Sequence, residues 1–277
     1  MRIFIRTSKW ATWARRLGSL CEPLTVIPVL LHRERFITSD VFMVVAEAAA
    51  LLSLLTLLIS LIGLVRLWFS GDQGWGRAFS GLFLSLLCLV PVAWFAFLAL
   101  RHEPNTDIST VPRGELPLVF DPEMLAMPAP RTLTPEQVEL AYPNVKTRTY
   151  PLDAVQTFDL VHRMVEARGW TIRLDRPPAG PTGTGQINAQ EVTLAGWREE
   201  IVLRVASAGE GTNVDMRSAS LNAVHDFGSN GSRIEEFLTA LDNEVTVILR
   251  DNPNVTVPVE VEPEVSPESA GEPATAG

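Results

Sequence analysis

Two unbroken apolar runs dominate the first hundred residues, and amphipathic patterns replace them further on. Residues 41–65 carry one charge, Glu47, and residues 78–100 carry none. A helix needs about 20 apolar residues to cross the ~30 Å hydrocarbon core of a bilayer, and both runs exceed that. They predict an N-terminal transmembrane helical hairpin over residues 41–100. In its loop, residues 66–77, Trp68, Phe69 and Trp75 suit an interfacial aromatic belt. Gly71, Gly74 and Gly76 permit a tight turn there. Pro91 predicts a kink in the second span. Glu47 sits about two turns into its run, within reach of the headgroups, although intramembrane carboxylates are also frequent functional groups.

Residues 1–40 are basic and amphipathic, which fits a segment lying on the membrane surface. Within them, residues 17–31 form a weaker apolar stretch interrupted by Glu22, Pro23 and Pro28, open to reading as a third membrane segment. No small-x-small cleavage site follows, so a removed signal peptide is not expected. The choice between two and three segments matters. Two spans leave the N-terminus and the rest of the chain on one side, and three leave them on opposite sides. Arg2, Arg6, Lys9, Arg15 and Arg16 assign the N-terminus to the cytoplasm and suit contact with anionic lipid.

After the hairpin the periodicity changes. Residues 101–133 are proline-rich and aperiodic and read as a connector. Thr134-Pro135-Glu136-Gln137 is a capping box with proline at the first helical position, and Tyr142-Pro143 ends that short helix. Within a soluble domain over residues 134–250, residues 146–150 read as a short strand. Residues 152–168 read as a helix burying Ala154, Phe158, Val161 and Val165, stopped by Gly169. Residues 170–175 alternate, with Trp170, Ile172 and Leu174 on one face. Residues 186–194, 200–206 and 213–220 read as three further strands, the last two joined through Ala208-Gly209-Glu210-Gly211. A last helix over 232–247 would bury Ile234, Phe237, Leu238 and Leu241, with Ser232 and Glu235 as a second capping box. Strands joined by short turns pair antiparallel. The expected domain is α+β: an antiparallel sheet of four to five strands packed against two helices. Residues 251–277 lack a packing pattern and read as a disordered acidic tail.

Charge divides along the same boundary. The 277-residue chain has a net charge of −9, but residues 1–100 hold 9 Lys/Arg against 5 Asp/Glu, and residues 101–277 hold 14 against 27. An acidic soluble part lacks the cationic footprint of a nucleic-acid binder. Two cysteines, Cys21 and Cys88, both outside the soluble domain, exclude a four-cysteine zinc site and a disulfide within that domain.

Polar residues concentrate at the end of the last strand and the start of the last helix: Arg217, Ser218 and Ser220, then His225, Asp226, Gly228 and Asn230, then Arg233. Such a cluster is either a site or a polar corner. As a corner, Arg217 would pair with Asp226, while Ser218, Ser220 and Asn230 would satisfy loop backbone groups.

The stretch resembles the family catalogued as domain of unknown function 1499. The resemblance rests on an Arg-Ser-x-Ser strand end (Arg217, Ser218, Ser220), an Asp-x-Gly-x-Asn (Asp226, Gly228, Asn230) and an Arg-Ile opening the last helix (Arg233, Ile234). Upstream, Gly169-Trp170 also fits, and Asn105-Thr106-Asp107-Ile108-Ser109-Thr110 looks like the segment after the spans in the membrane-anchored branch. Leu221 departs from the arginine, and Gly231 from the alanine, common in the family. The resemblance implies no established activity. It tilts the soluble domain toward the periplasmic side of a bacterial inner membrane, since some relatives look like secreted lipoproteins.

Tested chemistries are weak. Ser218 or Ser220 with His225 and Asp226 lacks a Gly-x-Ser-x-Gly elbow. His32, His102, His162 and His225 are scattered, so neither a metal nor another cofactor is expected. The glycines of residues 180–185 lack the Lys-Ser/Thr of a phosphate loop. Arg217 and Arg233 near a helix N-terminus would suit an anion or lipid headgroup. The expected function is a non-enzymatic envelope module that binds membrane lipid or a partner protein, and does not bind nucleic acid. The alternative is a hydrolase-like enzyme working from Arg217, Asp226 and Asn230.

Overall fold

The computed structural model describes residues 6–119, 129–209 and 211–251. Residues 1–5, 120–128, Glu210 and the 252–277 stretch read above as an acidic tail lie outside the described residues.

Three long helices come first: α1 (Lys9–Arg33), α2 (Ser39–Ser70) and α3 (Trp75–Arg101). Among the described residues, α2 and α3 are long and apolar enough to cross a membrane. α2 starts on Thr38, whose side chain accepts from the Val41 amide, and ends on Gly71 in the left-handed conformation. α1 does not lie across the end of the hairpin. It runs alongside both helices for its whole length, about 37 Å at 1.5 Å per residue. Small residues permit this close approach. A side chain at Gly81 would meet the Ala14 carbonyl at 2.5 Å, and one at Gly18 would meet the Gly81 Cα at 3.1 Å. Cys21 Sγ lies 3.5 Å from Thr56 Oγ1. α1 is continuous through Pro23 and Pro28, each of which removes one backbone donor from the helix.

The ends of α1 fix its direction. Beside the α2–α3 loop, the Ser8 amide donates to Gln73 O at 3.0 Å and the Gln73 amide to Arg6 O at 3.1 Å. At the other end, Arg33 Nη1 donates to Thr193 O in the soluble domain at 3.2 Å.

The domain is α+β. Its elements are β1 (Asp107–Ser109), a 3₁₀ turn (Arg113–Glu115), α4 (Pro135–Ala141), β2 (Arg148–Tyr150), α5 (Ala154–Ala167), β3 (Thr171–Arg176), β4 (Thr184–Val192), β5 (Arg198–Ala208), β6 (Gly211–Ser220) and α6 (Ser229–Asp251). The sheet is antiparallel in the order β1-β6-β5-β4-β3, with β2 also pairing β6 further along the edge that β1 occupies. One face buries Ile187, Ile201, Leu203, Val205, Val214 and Met216 under α5 and α6. Phe237 is fully buried and stacks on Trp170, with ring centroids 5.7 Å apart. Burying such side chains contributes roughly 1.5–3 kcal/mol each, as an upper estimate.

The capping box at Thr134 forms as its sequence dictates, with both reciprocal bonds present. The one expected at Ser232 and Glu235 does not form. α6 begins three residues earlier, and Glu235 instead accepts from the Asn144 amide at 2.9 Å. The Asp226 carboxylate takes over the helix start, accepting from the Gly228 and Asn230 amides at 3.0 and 3.3 Å. Within the proline-rich stretch 101–133, Asp107–Ser109 forms an edge strand in register with Arg217–Ala219. Three residues are too few to show a period.

Candidate functional site

Side chains alternate across a strand, so consecutive residues of β6 serve opposite faces of the sheet. Ser218 stands opposite Ile201 and Ser220 opposite Glu199, on the face covered by the helices. Arg217 stands opposite Val202, on the other face. The six residues singled out from the sequence therefore form two networks.

On the helix face, Ser218, Ser220, Asp226 and Asn230 are all buried. Ser218 Oγ donates to Asn230 Oδ1 at 2.7 Å, Asn230 Nδ2 donates to Ser220 Oγ at 3.1 Å, and Ser220 Oγ donates to Glu199 Oε1 at 3.0 Å. Arg233 reaches in from α6. Its Nε donates to Glu191 Oε2 at 2.7 Å, its Nη1 to Ser218 Oγ at 2.9 Å, and its Nη2 to Glu199. Burial alone would lower the Arg233 pKa, but the Glu199 and Glu191 carboxylates outweigh it and hold the guanidinium charged. Burial pushes the Asp226 carboxyl up to about 6, although the Gly228 and Asn230 amides favour its ionised form.

On the opposite face, Arg217 does not pair with Asp226. It forms a bidentate pair with Asp107 of β1, Nε to Oδ1 at 3.0 Å and Nη2 to Oδ2 at 2.8 Å. Its Nη1 donates to the carbonyls of Arg113 and Leu116 at 3.2 and 2.7 Å. The 110–119 segment that supplies these carbonyls covers this face. The Val119 amide and Asn188 Nδ2 donate to Glu200, whose pKa burial raises. Asp215 joins the same face, accepting from Arg204 Nη2 at 2.7 Å and from Thr147 Oγ1 at 2.6 Å.

This geometry bears on each chemistry considered. Ser218 and Ser220 bond to Asn230, Arg233 and Glu199 rather than to His225. His225 accepts from the Phe227 amide at 2.9 Å and stacks on the Phe227 ring. Among the described contacts no imidazole meets either hydroxyl, and the carboxylate beside Ser220, Glu199, is also held by Arg233 and Ser229. Arg217 and Arg233 point to different faces and are each neutralised by carboxylates, so they do not converge on an anion. Among the described residues, no three of His, Cys, Asp and Glu gather as metal ligands.

The partners not identified from sequence are Asp107, Glu191 and Glu199. A signal for one existed: Glu199 shares the alternation of Ile201 and Leu203, so it is a carboxylate on a buried face and needs a cation. Asp107 lies in the Asn105–Thr110 segment that carries part of the family resemblance. That segment zips onto the motif, with Thr106 O accepting from the Ser220 amide at 2.8 Å and Asn105 O from the Asp226 amide at 2.9 Å.

The domain joins the helices through a second cluster. His32 is buried, and its Nδ1, which faces the Ala195 carbonyl at 2.7 Å, is the donor there. Its Nε2 lies 3.0 Å from Ser39 Oγ, and its ring stacks on Phe42. Trp197 packs edge-on against Phe42 and Phe95, and Phe95 packs on Phe227. Gly196, at φ 93°, lets the β4–β5 turn approach α1, where a side chain would meet the Arg33 amide and His32 Nδ1 at 2.8 Å. Gly228, at φ 85°, admits the His102 ring in the same way.

No curated protein matches the chain. Residues 125–241, which hold both β6 networks apart from Asp107 and the segment over Arg217, match the family model described as Protein of unknown function (DUF1499).

Proposed function

We propose that this chain is an integral membrane protein in which α1, α2 and α3 all cross the bilayer and hold the DUF1499 domain on the side opposite the N-terminus. The path of α1 carries this reading. A helix bonded at one end to the hairpin loop and at the other to the soluble domain spans the same depth as the two apolar helices beside it. Its outward residues Leu20, Val26, Ile27 and Leu30 are exposed and apolar, as a lipid-facing surface is. Arg6, Lys9, Arg15, Arg16, Arg66 and Arg77 gather at the loop end, against Arg33, Arg35 and Arg101 at the domain end. The positive-inside rule then assigns the loop end to the cytoplasm and the domain to the periplasm of a bacterial inner membrane. A C-terminal alkaline phosphatase fusion should be active and a fluorescent-protein fusion dark. The reverse pattern would overturn the assignment.

The domain itself is a non-enzymatic module for a lipid or an envelope protein. The closed hydrogen-bond network supports this, because neither serine meets an imidazole, the Glu199 carboxylate beside Ser220 is ion-paired with Arg233, and each arginine is already neutralised by carboxylates. The purified chain is expected to hydrolyse no ester or phosphoester panel. Turnover abolished by Asp226→Asn would instead favour an enzyme.

A further inference from the structure

A cavity of about 250 Å³ opens where the three helices meet the domain. Pro28 of α1, Ala50 of α2 and Cys88 of α3 line it, and Trp197 and Phe227 of the domain close its end. Its lining is almost wholly apolar. The residues that stay exposed around it, Met43, Glu47, Pro91 and Val92, belong to α2 and α3, so the mouth opens sideways between those two helices. Two features keep the space from collapsing. Ala46, Ala49 and Ala50 leave the α2 wall low, and Pro28 and Pro91 interrupt the backbone bonding of the facing helices.

We infer that this crevice holds one acyl chain of a bilayer phospholipid, entering laterally between α2 and α3. The inference rests on the membrane-anchored reading, because it is the bilayer that places acyl chains against a sideways mouth on apolar helices. Size supports it as well. A cavity of about 150 Å³ accepts a six-carbon ring, so this one has room for on the order of ten chain carbons. The aromatic end wall is contributed by the domain rather than by the helices. A seated chain therefore touches both, and Trp197, which packs against Phe42 and Phe95 of two helices, is the residue that would report it.

The test uses the full chain, purified in mild detergent from membranes and returned to nanodiscs of phosphatidylethanolamine and phosphatidylglycerol. Native mass spectrometry of the released protein should find one phospholipid retained per chain. Ala46→Phe fills the crevice, and Val92→Trp, at the exposed rim, blocks the mouth without entering the core. Each should reduce the retained fraction on the order of tenfold, because losing the burial of even two methylenes costs that factor. Each should keep the wild-type melting temperature, which separates lost lipid from lost fold. A wild-type chain that carries no lipid, or a lipid retained equally by both variants and so held on the outer belt, would overturn the inference. Alkaline carbonate extraction tests the underlying reading separately. If the chain is washed from the membrane, the anchor itself fails. If it stays in the pellet and carries no lipid, only the crevice assignment fails.

Discussion

The two faces of β6 solve the same problem in different ways. On the outer face, Arg217 meets one carboxylate, Asp107, brought from 110 residues away by an edge strand of three residues. On the helix face, Arg233 meets two carboxylates and a chain of hydroxyl and amide groups from β4, β5, β6 and α6. The outer arginine thus depends on one bidentate pair plus two carbonyls, and the inner one on a network whose members also bond to each other. A single buried pair fails when one partner is lost, whereas a network can share the loss. Both arrangements consume their charges internally.

Arg217→Ala should be the most damaging change. It strands Asp107, whose side chain is 2% exposed, and breaking a buried pair costs about 3–5 kcal/mol. Arg113, 3.5 Å away and only half-buried, compensates poorly. Thermal melting of the full chain in detergent checks this, and adding Asp107→Asn should recover part of the loss. Arg233→Ala should cost less than Arg217→Ala if the network redistributes its bonds. The two arginines share no partner, so the double variant should be additive within about 0.5 kcal/mol. A larger coupling would mean that the faces communicate through β6.

Asp226 offers a pH test confined to the helix face. Its folded pKa, about 6, lies above the unfolded value of 3.8. Between those values the folded state keeps a proton that the unfolded state has released. Stability should therefore fall as pH rises from about 4 to about 6, by at most about 1.4 kcal/mol per pH unit for one proton. Asp226→Asn should reduce that slope, leaving the part that Glu200 on the other face contributes, and leave the Arg217 effect intact. An unchanged slope in Asp226→Asn would assign the titration to another group.

Smaller effects are expected from Ser218→Ala, which removes one hydroxyl from a network with other donors, at about 1–3 kcal/mol. Gly196→Ala should act elsewhere. Its left-handed backbone and the nearby His32 ring make any side chain strained, at about 1–3 kcal/mol. The loss should appear as easier proteolysis between α3 and the domain, with the β6 networks unaffected.

Much of this architecture is legible in local sequence. The strand alternation of residues 170–175, the helix at 152–168 and the capping box at Thr134 each carry their signal within a few residues and appear nearly where that signal lies. Ser232 and Glu235 carry an equally good capping signal that does not form. Asp226, in a loop held by Asn105, caps the Gly228 and Asn230 amides and starts the helix at Ser229, so the Ser232 amide already bonds to the Gly228 carbonyl, and sequence spacing cannot rank the two start signals. The pairing of Arg217 with Asp226 fails for a related reason. Proximity in sequence suggests it, but the period of two sends Arg217 to the other face.

The sequence by itself determined that two helices are long and apolar enough to cross a membrane, that an α+β domain follows, and that polar residues cluster where β6 meets α6. Those properties depend on composition and on periods of two and 3.6 residues, which neighbouring residues express directly. Only the tertiary structure decided that α1 runs beside the hairpin, that the cluster divides into two closed networks, and that domain aromatics cap a crevice among the helices. Each of these depends on contacts between residues far apart in the chain, and their energies appear only when the fold has brought them together.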